Sequence, residues 1–221
     1  MGLGAKTPFC RGAMVATAHY VVRPMTTGDI DQVAEVEREA FPTAWPPTVY
    51  RRELVENSLA RYLVAMERRP EAGPAPEAGL WARLRRLWGD TTSASNDLVV
   101  GFVGLWLLTE EAHVTTIAVR GGYRRRGIGE RLLIASIELA RKHRQRAMTL
   151  EYRVSNLAAK ALYEKYAFRA MGIRPRYYSD NNEDAIIMTT DPILSEAYTA
   201  LLDQRTAEHH RRFPELYDPS V

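Results

Sequence analysis

The sequence predicts an α+β domain, a mixed and mainly antiparallel sheet flanked by helices. Three observations predict it. Strand-like and helix-like periods intermingle along the chain in the order β, α, α, β, β, β, α, β, α, β, β. The segment 98–108 (LVVGFVGLWLL) is apolar enough for a buried central strand, and the turn Glu110-Glu111-Ala112 returns it as an antiparallel hairpin. Beyond that hairpin, Thr116-Ile117-Ala118-Val119 leads through a basic, glycine-bearing turn into a segment where Leu132, Leu133, Ile137 and Ala140 recur at helical spacing.

Composition bounds the possibilities. A chain of 221 residues fits one domain with appendages. Its hydrophobic fraction of 46% suffices for a core. A net charge of +3 suits an anionic ligand or a ribosomal neighbourhood without selecting either. Cys10 is the only cysteine, which excludes an intrachain disulfide and a cysteine-based zinc site; no metal is expected. No apolar run is long enough to span a bilayer. The first eighteen residues lack the apolar core of a signal peptide, and Lys6 stands where a myristoylation signal needs Ser or Thr. A cytoplasmic protein is expected, divided into a flexible leader (1–18), one domain (19–190) and a helical tail (191–221) that looks peripheral.

Tyr20-Val21-Val22-Arg23 reads as the first strand, ended by Pro24, and Thr27-Gly28-Asp29 offers a cap for a helix whose apolar side holds Ile30, Val33, Ala34 and Val36. The loop from Phe41 to Pro47 is broken by prolines and holds two aromatics, Phe41 and Trp45. It is either a plug in the core or a substrate-side wall. A second helix over 48–56 and a strand over 62–66 follow. Strands are expected at 113–119, 147–154, 168–173 and 185–189, with helices to about His143, over 157–166 and over 195–212. A long loop through Tyr177 and Tyr178 joins the last two strands. Between Arg69 and Asn96 the rhythm breaks: a linker-like Pro/Gly stretch precedes Leu80, Trp81, Leu84, Leu87 and Trp88, which share one helical side opposite three arginines. This short basic amphipathic helix (80–88, in an insert at 69–97) packs on the domain, or docks on a membrane surface, a ribosome or a partner protein.

The turn Arg124-Arg125-Arg126-Gly127-Ile128-Gly129 carries the strongest chemistry. The first amides of a helix have no intrahelical partner and sit at the positive end of its dipole, so they bind phosphate. Three arginines add charge-assisted hydrogen bonds, and glycines permit close approach of backbone to ligand. No Gly-Lys-Ser/Thr ending is present, so this is not a Walker A loop; Leu132 replaces the third glycine of a dinucleotide fingerprint. What remains, Arg/Gln-x-x-Gly-x-Gly/Ala, resembles the coenzyme A pyrophosphate loop of the GCN5-related N-acetyltransferases (GNAT).

The resemblance to that family extends over 20–188, apart from the insert. Within the family it is similar to the bacterial ribosomal-protein-alanine N-acetyltransferases, through Leu150-Glu151-Tyr152-Arg153-Val154-Ser155-Asn156, Ala161-Leu162-Tyr163, Phe168, Arg174, Tyr177-Tyr178 and Glu183-Asp184-Ala185-Ile186-Ile187-Met188. It implies the GNAT fold and acetyl-CoA as co-substrate. It implies that Ile117, Ala118 and Val119 offer backbone groups to the pantetheine arm, that Arg124, Arg125, Arg126, Gly127, Ile128, Gly129 and Glu130 line the pyrophosphate, and that Asn156 bonds the pantetheine chain; Asn156 is otherwise a simple helix cap. Arg124 stands where the family often has Gln. Glu151 is the implied general base, since an amine attacks a thioester only when neutral, and Tyr163 the implied general acid for the departing thiolate. The alternatives are a Glu151 tied up by an arginine and a Tyr163 that is plain core. Tyr177 and Tyr178 are the implied substrate wall, or else a mere aromatic plug; Phe41 and Trp45, on the proline-broken loop, are the other candidates for the substrate side. The implied acceptor is a protein N-terminus, that of a ribosomal protein by resemblance, with no specific nucleic-acid recognition. A lysine or small-molecule amine is the alternative acceptor, and a non-catalytic coenzyme A-binding adaptor the alternative of another class.

Overall fold

The structure, a computed structural model, describes residues 19–68 and 97–217. Cys10, the leader and the expected helix at 80–88 lie outside the described residues. Among those described, seven strands form one sheet: β1 (His19–Pro24), β2 (Ala60–Arg68), β3 (Leu98–Leu107), β4 (Glu111–Val119), β5 (Ala147–Arg153), β6 (Phe168–Tyr178) and β7 (Glu183–Thr190). Their spatial order is β1-β2-β3-β4-β5-β7-β6. The helices are α1 (Ile30–Ala40), α2 (Pro47–Val55), α3 (Ile128–Lys142), α4 (Leu157–Lys165) and α5 (Glu196–Arg212). The expected α+β fold and element order are met.

Neighbouring strands run antiparallel except β4 and β5, which are parallel. Parallel neighbours need a crossover connection, and α3 supplies it. Its buried Leu132, Leu133, Ile134 and Ile137 pack on one face of the sheet with Leu105, Val114, Met148 and Leu150. The other face is covered by α1 and α2, whose Val33, Val36 and Tyr50 meet Tyr62, Val64 and Phe102. The start of α1 is held by a local network. Thr26 N–H donates to Asp29 Oδ2 at 2.7 Å, and Arg23 donates to both Asp29 oxygens at 2.8 and 2.7 Å.

Three features differ from the sequence expectation or go beyond it. The tail is not peripheral: Tyr198 and Leu202 of α5, with Leu216 beyond it, join the core under α3. The Tyr177–Tyr178 region is strand rather than long loop, since Tyr178 pairs with Glu183. Pro175 has no N–H to give the ladder, and Arg176 sits at φ 52°, so pairing slips between Arg174 and Tyr178 and then resumes. Finally, β4 carries a bulge against β3. Gly104 pairs with Thr116 but Leu105 with Val114, leaving Thr115 extra. A side chain on Gly104 would run into the Tyr62 ring. The bulge resets the alternation of β4, so Ala112 and Val114 before it, and Ile117 and Val119 after it, all turn to the α3 side.

Candidate active site

The bulge lies where the sheet opens. The β4–β5 pairing runs from Glu111–Ala147 to Val114–Leu150 and ends there. Both strands continue, β4 to Val119 along β3 and β5 to Arg153 along β7. Past Val114 the β5-side backbone of β4 therefore has no strand partner, and Ile117, Ala118 and Val119 border the opening. Thr116 Oγ1, on the same segment, is buried without a hydrogen-bond partner. Backbone and hydroxyl groups left this way favour a ligand with amide groups of its own.

The glycine turn closes one end of the opening. Gly127 caps α3 at φ 76°, and Arg125 precedes it at φ 63°. Arg124, Arg125 and Arg126 are exposed. Arg124 Nε donates to Val119 O at 3.3 Å, and Arg126 lies over the Tyr123 ring at 4.9 Å. Gly129 faces Val119: a Cβ there would lie 3.6 Å from a Val119 methyl. Ile128 is buried in the core and anchors the turn from below. Glu130 behaves differently from its expected role. Its side chain is turned to α4, accepting from Lys165 Nζ at 2.5 Å and Tyr166 OH at 2.7 Å. Burial alone would raise its pKa, but these two donors hold it below the usual value. Glu130 thus has only its backbone amide to offer a phosphate.

Glu151 stands past the split on β5. Leu150 and Tyr152 face the α3 core, so alternation puts Glu151 on the α1–α2 face. Its side chain is 8% exposed, with Oε1 3.0 Å from Arg174 Nη2 and Oε2 3.2 Å from His113 Nε2. His113 Nδ1 lies 2.9 Å from Thr149 Oγ1. A neutral imidazole that donates from Nε2 to the carboxylate leaves Nδ1 to accept the Thr149 hydroxyl. The arginine partner that the sequence left open is Arg174 of β6, not Arg153. Arg153 instead bonds Asp180 at 2.8 Å and Glu183 at 3.3 Å, and lies 3.8 Å from the Tyr178 ring centroid. His113 went unassigned from sequence because a lone histidine carries no pattern. Only the parallel register, His113 opposite Thr149, brings it to Glu151.

Tyr163 lies across the sheet from Glu151. Its ring packs edge-on to Tyr152 at 5.9 Å and beside Phe168 at 5.7 Å. Burial pushes its phenol well above the ordinary value, so it keeps its proton at neutral pH. Carboxylate and phenol therefore occupy opposite faces of β5. Asn156 caps α4, its Oδ1 accepting from Ala159 N–H at 3.1 Å; the side chain remains exposed. Tyr177 is exposed and meets Tyr178 edge-on at 5.2 Å. Burial pushes the Tyr178 phenol up to about 12. Phe41 packs against the α1–α2 core, while Trp45 is partly exposed and leans on Tyr50, with ring centroids 6.1 Å apart. A hollow of about 850 Å³ between α3, α5 and β1 does not contain Glu151. Among the described residues no His/Cys/Asp/Glu cluster suits a metal ion, and no helix is long and apolar enough to cross a membrane.

A mixed sheet that parts beside a glycine turn at a helix start, with a largely buried carboxylate at the parting, suits acyl transfer from an anionic, amide-bearing carrier. The model of the acetyltransferase (GNAT) family matches residues 30–168, and the chain belongs to that family. A Bacillus subtilis (strain 168) protein is 34% identical over 76% of this chain and 92% of its own length; it carries a provisional assignment as a ribosomal protein bS18-alanine N-acetyltransferase. The N-alpha-acetyltransferase RimI of Mycobacterium tuberculosis (strain ATCC 25618 / H37Rv) is 30% identical over 79% of this chain and 94% of its own length. Among solved structures, the ribosomal-protein-S18-alanine N-acetyltransferase from Escherichia coli superposes with a TM-score of 0.59, at 26% identity, covering 79% of this chain and 94% of that one.

Proposed function

We propose that the protein moves acetyl from acetyl-coenzyme A directly to the α-amino group at a protein N-terminus, that of a ribosomal protein. The observation that carries this reading is the placement of Glu151, largely buried yet at the parting of β4 and β5, with a proton-retaining Tyr163 on the far side of β5. The names of the relatives support the acceptor class. The exposed Arg124–Arg126 run, the α3 amides and the unpaired edge of β4 fit an elongated anion with an amide-bearing arm.

The residues divide the work. On the α1–α2 face, Glu151 takes the proton that the amine nitrogen loses as its bond to the acetyl carbon forms. Arg174 and His113 hold the carboxylate in place. On the opposite face, Tyr163 gives its proton to the sulfur as the carbon–sulfur bond breaks, and recovers one through solvent. An N-terminal amine has a pKa near 8, against about 10.4 for lysine, so a carboxylate base suffices for the former. Tyr177 and Trp45 offer exposed aromatic surface for a peptide end, with the half-buried Tyr178 behind Tyr177.

The test uses two peptides with acetyl-coenzyme A, followed by mass. One has a free N-terminal alanine and no lysine; the other has a blocked N-terminus and an internal lysine. Acetylation of the first alone supports the reading. Acetylation of the second alone moves the protein to lysine transfer, and modification of neither, with coenzyme A bound, leaves an adaptor or a small-molecule enzyme.

A further inference from the structure

The back of the glycine turn is closed by α5, which lies outside residues 30–168 matched by the family. His209 of α5 is 2% exposed. Its Nε2 lies 3.0 Å from Gly127 O, and its Nδ1 lies 2.8 Å from Tyr217 Oη. A carbonyl only accepts, so Nε2 carries the proton; in the neutral ring Nδ1 then accepts the Tyr217 hydroxyl. Burial favours that neutral ring, opposed by Glu130 and by the Gly127 bond itself and aided by Lys165 and Arg131 nearby. Phe213 packs tilted against the same imidazole, with ring centroids 5.1 Å apart. A Cβ on Gly127 would lie 2.6 Å from Phe213 Cδ2 and 2.8 Å from His209 Nε2, so the helix end rests directly on the turn.

The turn needs such support. It contains two left-handed residues, Arg125 and Gly127, one of them not glycine. Conformations of this kind persist only where the surroundings over-determine them. The Gly127 carbonyl also accepts Arg131 N–H, the first bond of α3, at 2.9 Å. His209 therefore grips the atom where turn becomes helix, and its grip fixes the direction of the amides that follow.

We propose that His209, backed by Phe213, is a positioning residue for the coenzyme: it holds the Arg124–Gly129 turn in the shape that receives the pyrophosphate. The inference rests on the reading of that turn as an acetyl-coenzyme A site. A turn held in its bound shape spends less binding free energy on ordering itself. The effect belongs in coenzyme affinity, not in the chemical step.

His209→Leu removes the donor and leaves a buried carbonyl short of a partner. Its KM for acetyl-coenzyme A and its Kd for coenzyme A by calorimetry should rise roughly tenfold, with kcat at saturation within about twofold. His209→Gln can place an amide N–H near Nε2 and should recover most of the affinity. A general loss of stability would lower the melting temperature and leave this split unmade. A folded His209→Leu protein with unchanged KM and Kd overturns the inference. Should His209→Leu fail to fold, Phe213→Ala carries the test: Gly127→Ala should weaken coenzyme A binding less in that background than in the wild type. Strictly additive losses overturn the proposal. Wild-type protein that binds no coenzyme A overturns the functional reading itself, a failure distinct from one seen only in the variants.

Discussion

The two ends of the opening between β4 and β5 are built on different principles. At the proposed coenzyme end the candidate groups are backbone: amides at the start of α3, aimed by Gly127 at φ 76° and held from behind by His209. At the proposed acceptor end they are side chains: Glu151 between Arg174 and His113, and a tyrosine pair steadied by Arg153. The first end is local in sequence, six consecutive residues. The second draws on β4, β5 and β6, and exists only when their register is correct. A backbone site tolerates changes of side chain but not of conformation; a side-chain site behaves in the opposite way.

Substitutions should separate the two ends. The largest effect is expected for Glu151→Gln, which removes the proposed proton acceptor while keeping the shape. Its kcat should fall by about 10²–10⁴, with KM for acetyl-coenzyme A unchanged and the melting temperature not lowered. Gly127→Ala should show the reverse. A Cβ at positive φ, pressed against Phe213, should raise that KM by roughly tenfold or more and move kcat little. Steady-state kinetics on both variants checks the pair. If each moved both constants alike, the two ends would be one coupled unit and the contrast would fail.

Smaller effects sharpen the acceptor end. Arg174 is half exposed, and His113 remains when it is lost. Arg174→Ala should therefore lower kcat/KM for the peptide by about two- to fivefold, without touching coenzyme A affinity. The smallest effect concerns Glu183, which accepts Ser155 N–H at 2.8 Å and so ties the β6–β7 hairpin to the start of α4. Hydrogen bonds from Ser155, then from Asn181 and Arg153, hold its pKa at about 2. That lies below the ordinary glutamate value of about 4.3. Its contribution to stability is thus full above that ordinary value and is lost as pH falls through about 2. Melting curves of wild type and Glu183→Gln should differ modestly near neutrality and converge in acid. A constant offset down to the lowest pH would mean that the tether does not titrate as described.

Much of this protein could be read along the chain. The helical recurrence of Leu132, Leu133 and Ile137 marked the face of α3 that is buried, and the apolar run of β3 marked the centre of the sheet. Other features were hidden for definite reasons. Pro175 made a bulged strand look like a loop. Glu130, one residue past the glycine turn, seemed aimed at phosphate, yet a helix turns each side chain by about 100° from the last, and this one meets Lys165 and Tyr166. The polar α5, with few apolar residues to advertise a buried face, looked like a tail although Tyr198, Leu202 and His209 are buried.

The sequence by itself determined the order of elements, the basic glycine turn and the presence of Glu151 and Tyr163. These depend on periodicity and on neighbours within a few residues, where backbone sterics and hydrophobic pattern act directly. Only the tertiary structure decided that Glu151 sits between His113 and Arg174, that Tyr163 lies on the opposite face of β5, and that His209 grips Gly127 from 82 residues away. Those are matters of strand register and of one helix packing on another. Both are set by burial over the whole core, not by any stretch of chain read alone.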